Sequence, residues 1–210
     1  LTRPIGIFFI PATLVYIIIK FSKSSLNTAL FFCFSVFGFL FYKLLNFSLS
    51  SGGGLDFLKP YLQEMIICGV PTVKTQTKII IPIEKNSVEG IFYIIGHYPE
   101  LFLNLSIKRL VAFWGLIRPY YTIFHNLFIA LYFYTMYAII LSNFKRTFNN
   151  FRPEFSFIIT LLFFITVTVM VSCDEWHNRF ILAYVPFFLL LAIFSLSILN
   201  IPILNYFKKK

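Results

Sequence analysis

Charged side chains make up only 12% of this 210-residue sequence, about half the share usual in a soluble domain. Acidic residues are the rarer kind, 8 Asp and Glu against 18 Lys and Arg. With 59% hydrophobic residues, that shortage excludes an ordinary cytosolic domain and a disordered chain alike. Histidine and cysteine are also few, three of each. His97, His125 and His177 share no ligand spacing, and Cys33, Cys68 and Cys173 form no CxxC pair. We therefore expect no metal centre, and the odd cysteine count predicts no disulfide framework. Also missing are GxxxxGK[ST], GxSxG, HExxH and a glycine-rich nucleotide loop after a strand. Gly52-Gly53-Gly54 is a bare glycine run that marks a turn. The net charge of +10 is scattered between apolar runs rather than gathered in a patch, which excludes nucleic acid as a partner.

What fills the chain instead is apolar: 29 Phe residues, a mean hydropathy of +0.82, and uncharged runs that approach the roughly 20 residues a membrane-crossing helix needs. The expected fold class is all-α membrane, with about five transmembrane helices. They cover Ile5–Ile19, Leu26–Leu45, Tyr121–Leu141, Phe155–Ser172 and Phe180–Tyr206. Pro4 suits a first helical turn, Pro11 predicts a kink, and Pro186 and Pro202 predict that the last span bends or ends early. The organisation is two spans in 1–49, a loop over 50–118, and three spans with a basic tail in 119–210. The opening Leu1-Thr2-Arg3-Pro4 lacks the layout of a signal peptide. The chain reads as the C-terminal part of a longer polytopic protein.

Short loops set the orientation. Lys20, Lys23, Lys145, Arg146, Arg152 and Lys208–Lys210 share one side with Glu154 alone, eight basic residues against one acidic. The loop after span four holds Asp174, Glu175 and Arg179. The positive-inside rule assigns the first set, and with it the C-terminus, to the cytoplasm. Arg3, 50–118 and Asp174–Arg179 then lie outside, as in a multi-pass cell (inner) membrane protein.

Within 50–118, Thr72–Ile83 suits a short strand or an extended run, Val88–Gly96 the start of a helix, and Pro99–Leu116 a second helix. Leu103, Ile107, Leu110 and Trp114 recur on one face of a 3.6-residue period. Lys108 and Arg109 point away from that face. This reads as an amphipathic helix lying on the outer leaflet or packed beneath the loop. His125, inside span three, reads as a structural histidine. The triplets at Asn46 and Asn104 fall in or beside apolar helical stretches and read as chance matches to the glycosylation pattern.

Polar residues gather at the outer ends of spans. Arg3 begins the first, Arg118-Pro119-Tyr120-Tyr121 the third, and Asp174-Glu175-Trp176-His177-Asn178-Arg179 precedes the fifth. Guanidinium groups beside positive helix ends suit an anionic phosphate; the plain alternative is snorkelling to lipid headgroups. Asp174 and Glu175 read as solvated loop acids more readily than as a catalytic base.

The chain also resembles a known family. Leu1-Thr2-Arg3-Pro4-Ile5-Gly6, the stretch Pro99-Glu100 through Lys108-Arg109, Phe113-Trp114 and Arg118-Pro119-Tyr120-Tyr121, and His177-Asn178-Arg179-Phe180 with Pro186 follow the order of degenerate motifs in polytopic GT-C glycosyltransferases. These include dolichyl-phosphate-mannose mannosyltransferases and aminoarabinose transferases. Ala183 stands where many members carry proline. The resemblance covers nearly the whole chain. It implies the C-terminal part of a GT-C fold, a membrane glycosyltransferase working on the extracytoplasmic face. The donor would be a polyprenyl-phosphate-linked sugar and the acceptor a glycan, lipid or protein, with no further cofactor and no metal. Arg3, Arg118 and Arg179 would bind the donor phosphate, with His177 and Glu175 touching substrate. The family's catalytic acid falls upstream of residue 1, which implies that this fragment alone lacks it. A transporter or flippase, an O-antigen polymerase-like protein and a non-catalytic assembly subunit are the alternatives; the first predicts mid-bilayer charges and repeats, which the spans do not show.

Overall fold

The computed structural model describes residues 6, 8–21, 35–36, 38–39, 42–43, 58–70, 88–174 and 179–198, the backbone alone at 179 and 180. Among these residues all regular structure is helical apart from one isolated bridge between Ile67 and Asp174. The helices are α1 (Phe9–Phe21), α2 (Lys59–Leu62), α3 (Val88–His97), α4 (Pro99–Gly115), α5 (Ile123–Ser142), α6 (Phe144–Asn150), α7 (Arg152–Val171), α8 (Arg179–Leu182) and α9 (Val185–Ile198). The chain divides into two compact units. One is Leu1–Leu30, Leu116–Phe163 and Ile181–Lys210; the other is Phe31–Gly115 and Phe164–Phe180, so α7 contributes to both.

In the first unit, α5 and α7 are each 20 residues long and apolar enough to cross a membrane. At about 1.5 Å per residue, each spans roughly 30 Å. The α5 start is set by Thr122, whose hydroxyl oxygen accepts the His125 N–H at 3.3 Å, satisfying a donor that the first turn leaves open. At the α7 start, Pro153 occupies the second helical position and Glu154 the first turn, one lacking an N–H and the other complementing the helix dipole. α9 packs on α5 through Phe188, whose ring lies 6.3 Å from Phe133 and 5.7 Å from Tyr137. It meets α6 at a buried pair of hydroxyls, Thr147 Oγ1 and Ser195 Oγ, 3.0 Å apart. Phe151 and Phe194 stack at 4.5 Å.

Two proline expectations resolve differently. Pro11 does not kink a helix interior: α1 begins at Phe9, so Pro11 sits in the first turn, where its missing N–H costs nothing. Near Pro186 the expected fifth span does break. α8 ends at Leu182, a turn intervenes, and α9 restarts at Val185 with Pro186 in its first turn. Of the expected second span, residues 35–36, 38–39 and 42–43 are helical; the rest of it, Thr72–Ile83, Pro4 and Pro202 lie outside the described residues.

In the second unit, Leu58, Tyr61, Ile94 and Leu105 form a buried cluster, with Tyr98, Leu101 and Phe102 packed around it. Tyr61 and Phe102 stack at 5.9 Å. Gly90 on α3 permits the close approach of Leu58: a Cβ there would lie 2.9 Å from a Leu58 methyl carbon. The α4 face turned outward carries Leu103, Ile107 and Val111, all exposed. It shares Leu103 and Ile107 with the expected apolar stripe but continues through Val111, while Leu110 and Trp114 are half-buried.

Candidate functional site

The second unit is fastened around one cation. Arg109 lies on the inward face of α4 with Leu105, Ser106 and Phe113, and it is wholly buried. Its Nε donates to the Met65 carbonyl at 2.9 Å, its Nη2 to Pro60 at 3.2 Å, and its Nη1 to Met170 and Val171 at 3.2 and 3.3 Å. The Met170 and Val171 carbonyls belong to the last turn of α7, where helix carbonyls lack intrahelical partners and carry partial negative charge. Ser106 adds a bond to the Met170 carbonyl at 3.2 Å. The guanidinium also sits 4.5 Å over the Tyr61 ring, a favourable placement for a cation above a ring face. Burial lowers the Arg109 pKa from its ordinary value while Tyr61 opposes that shift; an arginine remains charged throughout. Burial likewise raises the Tyr61 phenol, with Arg109 acting in the other direction. Arg109 thus points away from the stripe of Leu103 and Ile107 and into the interior of the unit. Its donors are spent on backbone carbonyls, which makes it a structural cation and leaves it little capacity for a phosphate.

Beside this cation, Cys68 is bonded to Cys173 across 105 residues of sequence, with Cα atoms 5.3 Å apart. The expectation of no disulfide is thereby corrected: an odd count leaves one cysteine over but does not prevent the other two from pairing. Backbone bonds flank the bridge, Cys68 N–H to the Asp174 carbonyl at 2.7 Å and Asp174 N–H to the Ile66 carbonyl at 3.0 Å. A turn from Ile67 to Val70 closes with a 3.0 Å bond, and Gly69 adopts φ +83° at its third position, a conformation that favours glycine. Asp174 is 1% exposed, so it is not the solvated loop acid expected.

In the first unit, Arg118 is also fully buried. Asn126, one turn into α5, grips its peptide from both sides: the Arg118 N–H donates to Asn126 Oδ1 at 3.1 Å, and Asn126 Nδ2 donates to the Arg118 carbonyl at 2.9 Å. The turn from Arg118 to Tyr121 closes with a 3.2 Å backbone bond, around Pro119. His125 lies in the first turn of α5, exposed, with its ring 4.4 Å from that of Tyr121. Arg179 opens α8. Arg3, Glu175 and His177 lie outside the described residues, as does the Arg179 side chain. Among the described residues no group of His, Cys, Asp and Glu is arranged to hold a metal ion.

Comparison with protein-family models, with curated proteins and with solved structures returns no match. What the described residues define is a helical protein with two helices long and apolar enough to span a membrane.

Proposed function

We propose that the protein is a multi-pass membrane glycosyltransferase that moves a sugar from a polyprenyl-phosphate donor to an acceptor at the extracytoplasmic face. The observation that carries the sidedness is the Cys68–Cys173 bridge. Charge asymmetry assigns both the 50–118 segment and the loop after α7 to the outer side, and disulfides persist in oxidising, extracytoplasmic surroundings. Two unrelated physical criteria thus agree on one compartment. The exposed apolar face of α5, with Ile123, Phe124, Leu127, Phe128 and Leu131, supports burial in hydrocarbon, since a face of this size is rare on a soluble monomer. Sugar transfer itself rests on the ordered resemblance of the motifs at Arg3, Pro99–Trp114, Arg118–Tyr121 and His177–Phe180 to GT-C enzymes.

In this reading the acceptor hydroxyl attacks the anomeric carbon, the carbon–oxygen bond to the lipid phosphate breaks, and an acidic base takes the hydroxyl proton. The prenyl phosphate leaves with an added negative charge. Arg3, Arg118 and Arg179 meet that charge in partly dehydrated surroundings, where fixed cations stabilise it far more than water would. His177 and Glu175 orient the acceptor. Replacing Arg3 with Ala in the intact protein is expected to abolish transfer from the lipid donor while membrane insertion persists. Normal turnover by that variant removes Arg3 from the site.

A further inference from the structure

The two helices of membrane-crossing length are joined by α6. α5 ends at Ser142 and α7 starts at Arg152, with Phe144–Asn150 between them. Asn143 and Phe151 leave the helical conformation on either side, at ψ 14° and 41°, so the chain breaks twice rather than running straight on. At about 1.5 Å per residue α6 is roughly 10 Å long. With α5 and α7 in the membrane, the ends it connects stand at one boundary of the hydrocarbon, at headgroup level. The inner side of α6 is fixed. Thr147 is fully buried; its hydroxyl donates to the Asn143 carbonyl at 2.9 Å and lies 3.0 Å from Ser195 Oγ. Phe144 and Phe148 pack edge-on against Phe155 at 5.0 and 5.6 Å. The outer side carries Lys145, Arg146 and Asn149, all exposed, followed by exposed Arg152. The Arg152 guanidinium turns back to within 5.8 Å of the Phe148 ring. Three cations thus stand on one packed frame. In the sequence of this unit Glu154 is the single acidic residue, and one carboxylate cannot balance them.

We propose that α6 and Arg152 form a docking surface for anionic phospholipid headgroups of the leaflet at this end of α5 and α7, with Lys145, Arg146 and Arg152 meeting the phosphates. The inference rests on the membrane part of the reading above and on nothing in sugar transfer. The argument is charge complementarity at a fixed height. Lys and Arg at the end of a span extend their apolar stems along it and place their charge among the headgroups. Clustered there, they attract a leaflet of opposite charge. Because the side chains are exposed rather than enclosed, they suit a surface of many phosphates better than one captured ion. A phosphatidylcholine phosphate carries its own ammonium beside it, whereas phosphatidylglycerol offers an unbalanced negative charge, so the surface selects the second.

The test uses the intact protein in an uncharged detergent, stripped of lipid and given equal amounts of phosphatidylglycerol and phosphatidylcholine with matched chains. Lipid retained after washing is counted by native mass spectrometry. The wild type is expected to retain phosphatidylglycerol about tenfold over phosphatidylcholine when loaded at low salt, the ratio that a difference of about 1.4 kcal/mol produces. Loading at about 1 M salt, where charges are screened within about 3 Å, removes most of that preference. Lys145→Gln, Arg146→Gln and Arg152→Gln together level the ratio, whereas Arg146→Lys with Arg152→Lys keeps most of it. Lys208→Gln, Lys209→Gln and Lys210→Gln together remove the same charge from the tail and leave the ratio near that of the wild type. Unchanged helical circular dichroism confirms that each variant is folded. Equal retention of the two lipids by the wild type, an undiminished preference in the α6 triple variant, or levelling by the tail variant overturns the docking surface. Recovery of the protein in the soluble fraction without detergent overturns the membrane reading itself, so the two failures are told apart.

Discussion

The guanidinium carbon of Arg109 lies 4.5 Å from the centre of the Tyr61 ring, and neither side chain reaches solvent. The contact joins α4 to the short α2 segment, while the same cation holds the end of α7 through the Met170 and Val171 carbonyls. A single side chain thus closes three stretches that are far apart in sequence. Its removal is expected to loosen all three together.

Arg109→Met keeps much of the apolar volume but leaves the Met65 and Val171 carbonyls without a donor, while Pro60 and Met170 keep only the Met65 N–H and the Ser106 hydroxyl. Each buried group left unsatisfied costs about 1–3 kcal/mol, so a loss of about 3 kcal/mol or more is expected. Arg109→Lys is expected to recover only part, because one ammonium cannot reproduce a planar fork. Thermal unfolding in detergent gives the order: wild type, then Lys, then Met. A Met variant as stable as the wild type removes Arg109 from its structural role.

The Tyr61 hydroxyl is buried without a hydrogen-bond partner, so Tyr61→Phe is expected to change stability little at neutral pH. At alkaline pH the two proteins part. Burial, opposed by Arg109, holds the folded phenol above its ordinary 10.0, so the unfolded chain releases its proton first. The stabilisation is whole below pH 10.0 and is lost as pH rises through the folded value. Denaturant titrations above pH 10 should therefore show the wild type losing more stability than Tyr61→Phe. Equal loss would mean that Tyr61 does not titrate with this linkage.

With Cys68 and Cys173 paired, one of the three cysteines remains a thiol. Denatured, unreduced protein should take up a single alkylating group, at Cys33, and three after reduction. Cys68→Ser and Cys173→Ser should each lower stability by about 2–5 kcal/mol, the usual loss for a native bridge, and the double variant by no more than either. Three reactive thiols before reduction would exclude the bridge.

The helices were legible because their signal is cumulative: an apolar run such as Ile123–Ser142 outlasts any competing reading, and there only the ends moved. The helices Val88–His97 and Pro99–Gly115 were legible from local period and proline punctuation. The fastenings were not. Pairing Cys68 with Cys173 is a relation across 105 residues, and spacing carries no trace of it. Local spacing places Arg109 off the Leu103 and Ile107 stripe but says nothing of the four distant carbonyls that receive it. The available signal was the second stripe, Leu105, Ser106, Arg109 and Phe113, whose period equals that of the apolar one. Pro11 reads as interior because the apolar run extends upstream of Phe9, where α1 begins.

Thr147 and Ser195 offer a separate test of how α6 meets α9. Their hydroxyls are 3.0 Å apart and buried. Thr147→Val alone and Ser195→Ala alone should each destabilise by about 1 kcal/mol, and the pair together by less than the sum. Strict additivity in that double-mutant cycle would show the bond to contribute nothing.

Sidedness is the claim on which the sugar-transfer reading depends. Single cysteines placed within 72–90, in a protein with Cys33 replaced by Ala, can be labelled by a membrane-impermeant maleimide in sealed cells and in inverted vesicles. The account predicts labelling from the outside only, with a control cysteine at Lys208 labelled only in inverted vesicles. Labelling of 72–90 from the cytoplasmic side would contradict it.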